Sequence, residues 1–190
     1  MRMGGIRPGH FTGPPEIDTV PYMTVLPRRV VTGHDEAGKS VFLSDGMPPV
    51  SRTAPDGAGF HELWSTPAAP APLAAAEPDP AAGPVTVPPP ERGTKIRINS
   101  FPPGVISPVH RTESVDYGIV IDGEMVLVLD DDAETILRPG DVVIQRGTSH
   151  RWENRASTTA RMVFVLVDAE FSPGLAQLLG EVTLLHDPLR

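Results

Sequence analysis

Between residues 117 and 167, short apolar runs alternate with turn-forming residues, and this pattern restricts the chain to few folds. Each run is rich in Val, Ile, Leu or aromatic residues and ends at a Gly-, Asp- or Pro-containing turn. Runs of about five residues with turns every 8–12 residues are typical of an all-β sandwich or barrel rather than of βαβ units. The predicted strands are Tyr117–Ile121, Met125–Leu129, Ala133–Leu137, Asp141–Gln145, Ser149–Glu153 and Arg161–Val167.

Two clusters of His, Gly and carboxyl-bearing residues lie among these strands. The first contains Gly104, His110, Thr112, Asp116 and Gly123, and the second contains Gly140, Gln145, Gly147, His150 and Asn154. Because strand side chains alternate between faces, His110 and Thr112 point the same way, as do His150, Trp152 and Asn154. If the two His-bearing strands face one another across a barrel, the two imidazoles converge and Asp116 completes the set.

The spacing of both clusters resembles that of the two motifs of the cupin superfamily. In the first motif Thr112 takes the place of the second His and Asp116 that of the Glu; in the second, Gln145 takes the place of the Pro. The leading gap of the second motif is one residue shorter than usual. The resemblance covers roughly the C-terminal half of the chain. It implies a cupin-type double-stranded β-helix (jelly-roll) barrel and a homodimer.

The three candidate ligands, His110, Asp116 and His150, predict a metal centre that would also be catalytic. Two imidazoles and one carboxylate leave positions open on a divalent ion, whereas structural zinc sites are closed by four protein ligands. Iron, manganese, nickel and zinc all suit these donors, so the sequence does not choose among them. Thr112 either supports a ligand through a hydrogen bond or is simply a β-branched strand residue.

Polar or aromatic residues near the ligands are candidates to contact a substrate. These candidates are Trp152, Asn154, Gln145, Arg161 and Thr112. Trp152 would form either a pocket wall or part of the core. An Arg at the barrel mouth can hold a carboxylate or phenolate through two parallel hydrogen bonds, although Arg161 could equally lie at the surface.

Three functions are consistent with these residues. The first is a metal-dependent enzyme acting on a small organic molecule, of dioxygenase, decarboxylase or isomerase type. The second is a metal-free cupin enzyme that uses a His near neutral pH for dehydration, cyclisation or epimerisation; the replacement of a ligand by Thr112 favours it. The third is a barrel that only binds a small molecule. We expect the first.

Charge and composition limit the classes of molecule that this chain is expected to contact. The formal net charge is −8, and no basic run exceeds Arg28-Arg29, so we expect no nucleic-acid partner. The chain contains no Cys and no apolar run of membrane-spanning length, and its first residues lack the apolar core of a signal peptide. We therefore expect a cytoplasmic protein that does not contact membranes.

The remaining segments are expected to surround the barrel. Residues 1–66 would form an extended arm and hairpin strands, including Arg28–Thr32 and Ser40–Ser44, and residues 67–93 a Pro- and Ala-rich linker or surface wrap without a chemical role. Residues 94–170 would form the barrel core, beginning with a half-buried strand at Thr94–Phe101. Residues 171–190 would contribute a short helix between Ser172 and Gly180, followed by a tail.

Overall fold

The computed structural model describes residues 26–75, 77–181 and 184–187. Within these residues the chain forms eleven β-strands and one α-helix. The strands are β1 (Arg29–His34), β2 (Ser40–Gly46), β3 (Val50–Thr53), β4 (Gly59–Thr66), β5 (Thr94–Phe101), β6 (Ser114–Asp122), β7 (Met125–Val128), β8 (Glu134–Leu137), β9 (Val142–Arg146), β10 (Arg151–Glu153) and β11 (Ala160–Asp168), and the helix is α1 (Pro173–Leu179). The all-β class is confirmed. Most of the extended arm expected before Pro27 lies outside the described residues.

The strands pair antiparallel in three sheets. The largest has six strands in the order β3-β4-β5-β11-β6-β9, a second has the order β10-β7-β8, and β1 pairs with β2 as the expected hairpin. All six strands predicted between residues 117 and 167 are present. Their ends differ from the prediction by at most three residues; β10, for example, begins at Arg151 rather than at Ser149.

The hydrophobic core lies between the six-stranded and the three-stranded sheet. Met162, Phe164 and Leu166 of β11 belong to one buried cluster with Met125 and Leu127 of β7. Fully burying a side chain of this size stabilises the fold by about 1.5–3 kcal/mol. This packing fixes which face of each strand in the large sheet is inside, and therefore which side chains can reach the interior.

Glycine at two sharp turns is required by the backbone. Gly123 has φ +72°, and a Cβ there would lie 2.7 Å from the Cα atom of Ala160. Gly140 has φ +95° in the turn between β8 and β9. Both positions lie in the left-handed region that glycine adopts without strain. The turns predicted at Asp122-Gly123 and Pro139-Gly140 are thus confirmed.

The Pro-rich segment packs against the large sheet. Ala81, Val85 and Val87 are buried, and the Lys95 Nζ atom donates to the Thr86 carbonyl oxygen at 2.9 Å. The composition suggested that this segment has too little apolar surface to be ordered by its own burial. Its order is explained instead by hydrogen bonds that its carbonyl groups accept from cationic side chains of β5.

Helix α1 begins and ends as its sequence predicts. The Ser172 Oγ atom accepts a hydrogen bond from the Leu175 backbone N–H, Pro173 occupies the first helical position, and Gly180 follows the last turn with φ +65°. Over the described residues, we find no helix with the length and apolar character that crossing a bilayer requires.

Candidate functional site

His110 and His150 form the centre of the candidate site. They are directly opposite one another in an antiparallel bridge, with N···O distances of 2.9 and 3.0 Å for the two backbone hydrogen bonds. Their ring centroids are 4.2 Å apart, with the planes inclined at 54°. The two imidazoles therefore converge as expected. They do so as hydrogen-bonded neighbours and not, as the sequence suggested, across the width of a barrel.

The tautomer of both imidazoles is set by backbone carbonyl groups. His110 Nδ1 lies 2.9 Å from the Pro108 carbonyl oxygen, and His150 Nδ1 lies 2.9 Å from that of Thr148. A carbonyl oxygen only accepts, so each Nδ1 carries the hydrogen and each Nε2 keeps its lone pair. Neutral Nε2 atoms of this kind are metal ligands or proton acceptors.

Burial keeps both rings neutral. Removal from water, together with charge repulsion from the neighbouring His110, lowers the pKa of His150 to about 3. Burial is also the main cause of the lowered pKa of His110, to which the charge of Arg97 contributes. Both side chains are therefore uncharged near neutral pH.

Asp116 lies on the inner face of β6 and lines the same cavity as the two histidines. Burial raises the pKa of its carboxyl group, while Arg97 acts in the opposite direction. Its Oδ1 atom is buried without a hydrogen-bond partner. However, within residues 26–75, 77–181 and 184–187, no three His, Asp or Glu side chains come close enough together to hold one metal ion.

Thr112 also lies on the cavity wall. Its Oγ1 atom accepts a hydrogen bond of 2.8 Å from Ser114 Oγ, and the side chain is buried. Thr112 and His110 thus share a face, as the alternation of side chains predicted.

Aromatic side chains line much of the remaining cavity, which has a volume of about 70 Å³. The Trp152 ring contacts that of His150 edge-on, with centroids 5.7 Å apart, and contacts Phe164 at 5.5 Å. Phe60 and Phe101 also line the cavity. Trp152 belongs to the core and to the pocket wall at once. The sequence left open whether Trp152 packs in the core or forms a pocket wall, and the structure shows that it does both.

Strand β5 turns its polar side chains inward. Lys95, Arg97 and Asn99 are each at most 6% exposed, whereas Ile96 and Ile98 lie half-buried on the outer face. A half-buried strand ordinarily buries its apolar face, so nothing in the sequence predicted that Arg97 and Asn99 line the cavity. Their inward direction is the main feature of the site that sequence reasoning missed.

Two distant segments cover the cavity. Val87, in the Pro-rich segment, and Leu185, near the C-terminus, both line it. The Val87 N–H donates to the His186 carbonyl oxygen at 2.9 Å, and the Leu185 N–H donates to that of Arg111 at 3.2 Å. The Pro-rich segment, expected to be a linker or surface wrap, thus contributes Val87 to the pocket wall.

Three predicted substrate contacts lie outside the cavity lining. Asn154 follows the end of β10 and uses its amide in a turn, Gln145 accepts a hydrogen bond of 2.9 Å from Thr148 Oγ1, and Arg161 pairs with Asp122 at 3.3 Å. The two-residue alternation that placed Asn154 beside Trp152 fails because the strand ends at Glu153. Arg161 lies on the outer face of β11, opposite the core residue Met162. The structure thus brings together His110, His150, Asp116, Thr112 and Trp152 and leaves out the other three.

Comparisons with known proteins agree with this architecture. A family model described as Cupin domain matches residues 98–166. The chain is 40% identical over 165 residues to Phomopsin biosynthesis cluster protein C' of Diaporthe leptostromiformis. The matched region covers 83% of this chain and 86% of that relative. It is also 40% identical over 151 residues to the cupin-domain-containing oxidoreductase fogC of Aspergillus ruber, with 74% of this chain and 71% of the relative covered.

Among solved structures, a Cupin 2 conserved barrel domain protein from Salinispora arenicola CNS-205 matches with a TM-score of 0.44 and 23% identity. The match covers 63% of this chain and 82% of that one. The family-model match, the extent of identity to the relatives and the two-sheet fold around the His pair lead to one conclusion. This chain belongs to the cupin superfamily, and the fold class expected from its sequence is correct.

Proposed function

We propose that this chain is an enzyme that acts on a small organic molecule inside the cavity, with a divalent metal ion bound by His110, His150 and Asp116. The observation that carries the proposal is the pair of neutral imidazoles, His150 buried and His110 partly buried, whose Nε2 atoms keep their lone pairs. Of the reaction types that the sequence leaves open, the relative named as an oxidoreductase favours a redox reaction of dioxygenase type.

The side chains fit a divalent ion in part. Two imidazole nitrogens fixed by backbone carbonyls are suitable donors. Asp116, whose Oδ1 atom is unpaired, would have to move closer to the imidazoles to become the third ligand. Iron, manganese, nickel and zinc all remain suitable. When bound, such an ion would supply a Lewis-acid centre with open coordination positions.

The protein's own residues would bind and orient the substrate. Phe60, Phe101 and Phe164 exclude water, which strengthens polar interactions within the cavity. Trp152 supports the His150 ring and offers its own surface to the substrate. Thr112 lies beside His110 on the same wall and would contact either a ligand or the substrate.

The same site supports a second function, metal-free acid/base catalysis such as dehydration, cyclisation or epimerisation. It is favoured by the lack of any trio of potential ligands close enough to bind one ion in the described parts of the chain. In this case a neutral His Nε2 accepts the proton, and Asp116, whose pKa is raised by burial, donates one.

The test is the metal content of freshly purified protein, measured by elemental mass spectrometry, together with turnover. We expect about one ion per chain in the wild type and none in the His110→Ala/His150→Ala double variant, because neutral imidazoles are the main donors. The matched control is His61→Ala, since His61 is also buried but bonds to Ser51 and Ser100, away from the cavity. This control should retain the metal.

Each other result has a definite meaning. A wild type that takes up none of the four metals on incubation would contradict the metal centre. Turnover in that metal-free protein would support acid/base catalysis. A ligand that binds without being converted, with or without metal, would show a binding protein instead of an enzyme.

We also propose that the protein is a cytoplasmic homodimer. The absence of Cys is compatible with a reducing compartment. An apolar outer face of the six-stranded sheet, which includes Tyr117, Val142 and Ile144, supports association with a second copy.

A further inference from the structure

Buried polar atoms without partners concentrate at the cavity. Among the described residues, five buried side-chain nitrogen or oxygen atoms have no hydrogen-bond partner, and three of them belong to cavity-lining residues: Arg97 Nε, Asn99 Oδ1 and Asp116 Oδ1. Leaving such an atom unpaired is energetically costly, so a group of them in one place calls for a ligand that supplies the missing partners.

Arg97 is held rigidly on the β5 side of the cavity. Its Nη1 and Nη2 atoms donate to the Thr86 and Val87 carbonyl oxygens at 2.9 and 3.1 Å, and its guanidinium lies 5.1 Å from the centre of the Phe60 ring. These contacts occupy the tip of the side chain and leave the Nε–H free. A fixed cation with one free donor is suited to an anionic oxygen.

The β5 side of the cavity also carries surplus positive charge. Lys95 Nζ and Arg97 Nη1 share a single carboxylate, that of Glu62, at 3.8 and 3.5 Å. Asp116 on β6 lines the same cavity and interacts electrostatically with Arg97. Even so, the Arg97 Nε–H lacks a hydrogen-bond partner, which an anionic oxygen beside it would supply.

The size and walls of the cavity indicate the rest of the ligand. Its volume of about 70 Å³ is small, so the enclosed part of the ligand is no larger than one ring with a small substituent. The rings of Phe60, Phe101, Trp152 and Phe164 on the walls favour a flat, unsaturated ring over an aliphatic one.

We propose that the substrate of the proposed enzyme is a ring-bearing organic acid, a planar unsaturated ring with one anionic oxygen group that Arg97 receives through its Nε–H. The claim that this ligand is a substrate rests on the proposed function, whereas the binding site itself can be tested separately. It makes Arg97 a specificity-determining residue and leaves the His pair for the reaction.

The test is calorimetric titration of the full-length protein with three probes: benzoate, its neutral isostere benzamide, and the aliphatic acid cyclohexanecarboxylate. We expect benzoate to bind at least tenfold more tightly than benzamide, and more tightly than cyclohexanecarboxylate. Arg97→Met should remove the preference for benzoate over benzamide. Lys95→Met is the matched control, because it deletes a cation from the same Glu62 cluster at a residue that does not line the cavity; it should keep the preference.

Circular dichroism and thermal unfolding would show that each variant folds. If Arg97→Met does not fold, Arg97→Lys keeps the charge but not the Nε–H, and we expect it to weaken benzoate binding at least fivefold. Equal affinity for benzoate and benzamide, no binding of either, a preference that survives in Arg97→Met, or its equal loss in Lys95→Met would each overturn the proposal.

The His110→Ala/His150→Ala variant separates this inference from the proposed function. That variant retains Arg97, so its preference for benzoate should persist even though metal and turnover are lost. A protein that shows the benzoate preference but no metal and no turnover would contradict the proposed function alone. A metal-dependent enzyme without the preference would contradict the substrate class alone.

Discussion

Asn154 is a fully buried amide whose hydrogen bonds all go to the backbone. Its Nδ2 atom donates to the Phe101 and Thr158 carbonyl oxygens at 2.7 and 2.8 Å, and its Oδ1 atom accepts from the Ala156 N–H at 2.9 Å. At 1% exposure it has no surface left for a ligand. Its role is to join the turn after β10 to the end of β5.

Asn154→Ala should therefore reduce stability without changing ligand preference. Three buried hydrogen bonds at about 1 kcal/mol each predict a loss of about 3 kcal/mol in the free energy of unfolding. Urea denaturation would measure the loss, and the benzoate-to-benzamide affinity ratio of the variant should match that of the wild type. A stable variant with an altered affinity ratio would show that Asn154 takes part in ligand binding.

Lys95 is a buried cation whose burial lowers its pKa from 10.5 to about 8. The unfolded chain therefore binds one more proton than the folded chain between about pH 8 and 10.5. The contribution of Lys95 to the free energy of unfolding accordingly rises as the pH increases from about 8 to 10.5. Below about pH 8, Lys95 is charged in both states and this gain in stability is absent. The complete effect is on the order of 3 kcal/mol.

Comparison with Lys95→Met isolates this effect. Between pH 7 and pH 9.5, the free energy of unfolding of the wild type should rise by about 2 kcal/mol relative to that of the variant. Chemical denaturation of both proteins across the range would measure it. A constant or falling difference would show that Lys95 is not desolvated in the folded protein.

At the scale of elements, the cavity is closed by two segments that belong to neither large sheet. Residues near Val87 and near Leu185 are joined through the His186 carbonyl oxygen. The two segments are about 100 residues apart in the chain, and prolines at 84, 88, 89 and 90 leave few amide hydrogens around Val87. Hydrogen exchange at that amide thus reports directly on opening of the cover.

Leu185→Ala should loosen this cover. Truncating a partly buried Leu costs about 1–2 kcal/mol, which is less than the cost of truncating a Leu in the core. Lowering the free energy of local opening by this amount makes exchange at the Val87 amide roughly tenfold faster. Exchange measured by mass spectrometry or NMR would test it. Leu178→Ala on helix α1, where Leu178 is 85% exposed, is the control and should leave the Val87 amide unchanged.

Local patterns predicted individual elements well but not their mutual arrangement. The bounds of β5 and α1 follow from alternation and capping, which involve residues near in sequence. The inward direction of Arg97 depends on Glu62 and on carbonyl groups of the Pro-rich segment, which alternation within β5 cannot reveal. The contribution of Leu185 to the cavity likewise depends on long-range contacts.

The outer face of the six-stranded sheet is apolar across five strands. One row of paired residues runs Trp64, Ile96, Val165, Tyr117 and Ile144. Tyr117 is 41% exposed and Ile144 is 49% exposed. A sheet face turned to water is usually polar, so this row is suited to contact with a second copy of the chain.

A Tyr117→Lys/Ile144→Lys variant should be monomeric, because the new charges would be buried against an apolar partner surface. Light scattering coupled to size-exclusion chromatography would show a wild-type dimer and a variant of half that mass. Ile136→Lys, on the other sheet at a residue 45% exposed, is the control and should remain dimeric. A monomeric wild type would refute the homodimer.

For the whole site, the motif spacing and the two-residue period were enough to bring the two histidines, Asp116, Thr112 and Trp152 to one cavity. Asn154, Gln145 and Arg161, also predicted as substrate contacts, do not line that cavity, since strand ends and sheet faces depend on packing between the sheets. The inward direction of Arg97 on β5 was missed for the same reason. Motifs thus predicted the His-bearing wall of the cavity better than the wall formed by β5.

The bridge between residues 110 and 150 has an evolutionary consequence. Its two hydrogen bonds involve only backbone atoms, so the connection between these segments does not require the imidazoles. Mutation can exchange either side chain while the surrounding scaffold persists. A lineage built on this scaffold can therefore exchange the side chains at positions 110 and 150 in single steps, and one architecture can give rise to descendants with unrelated chemistry.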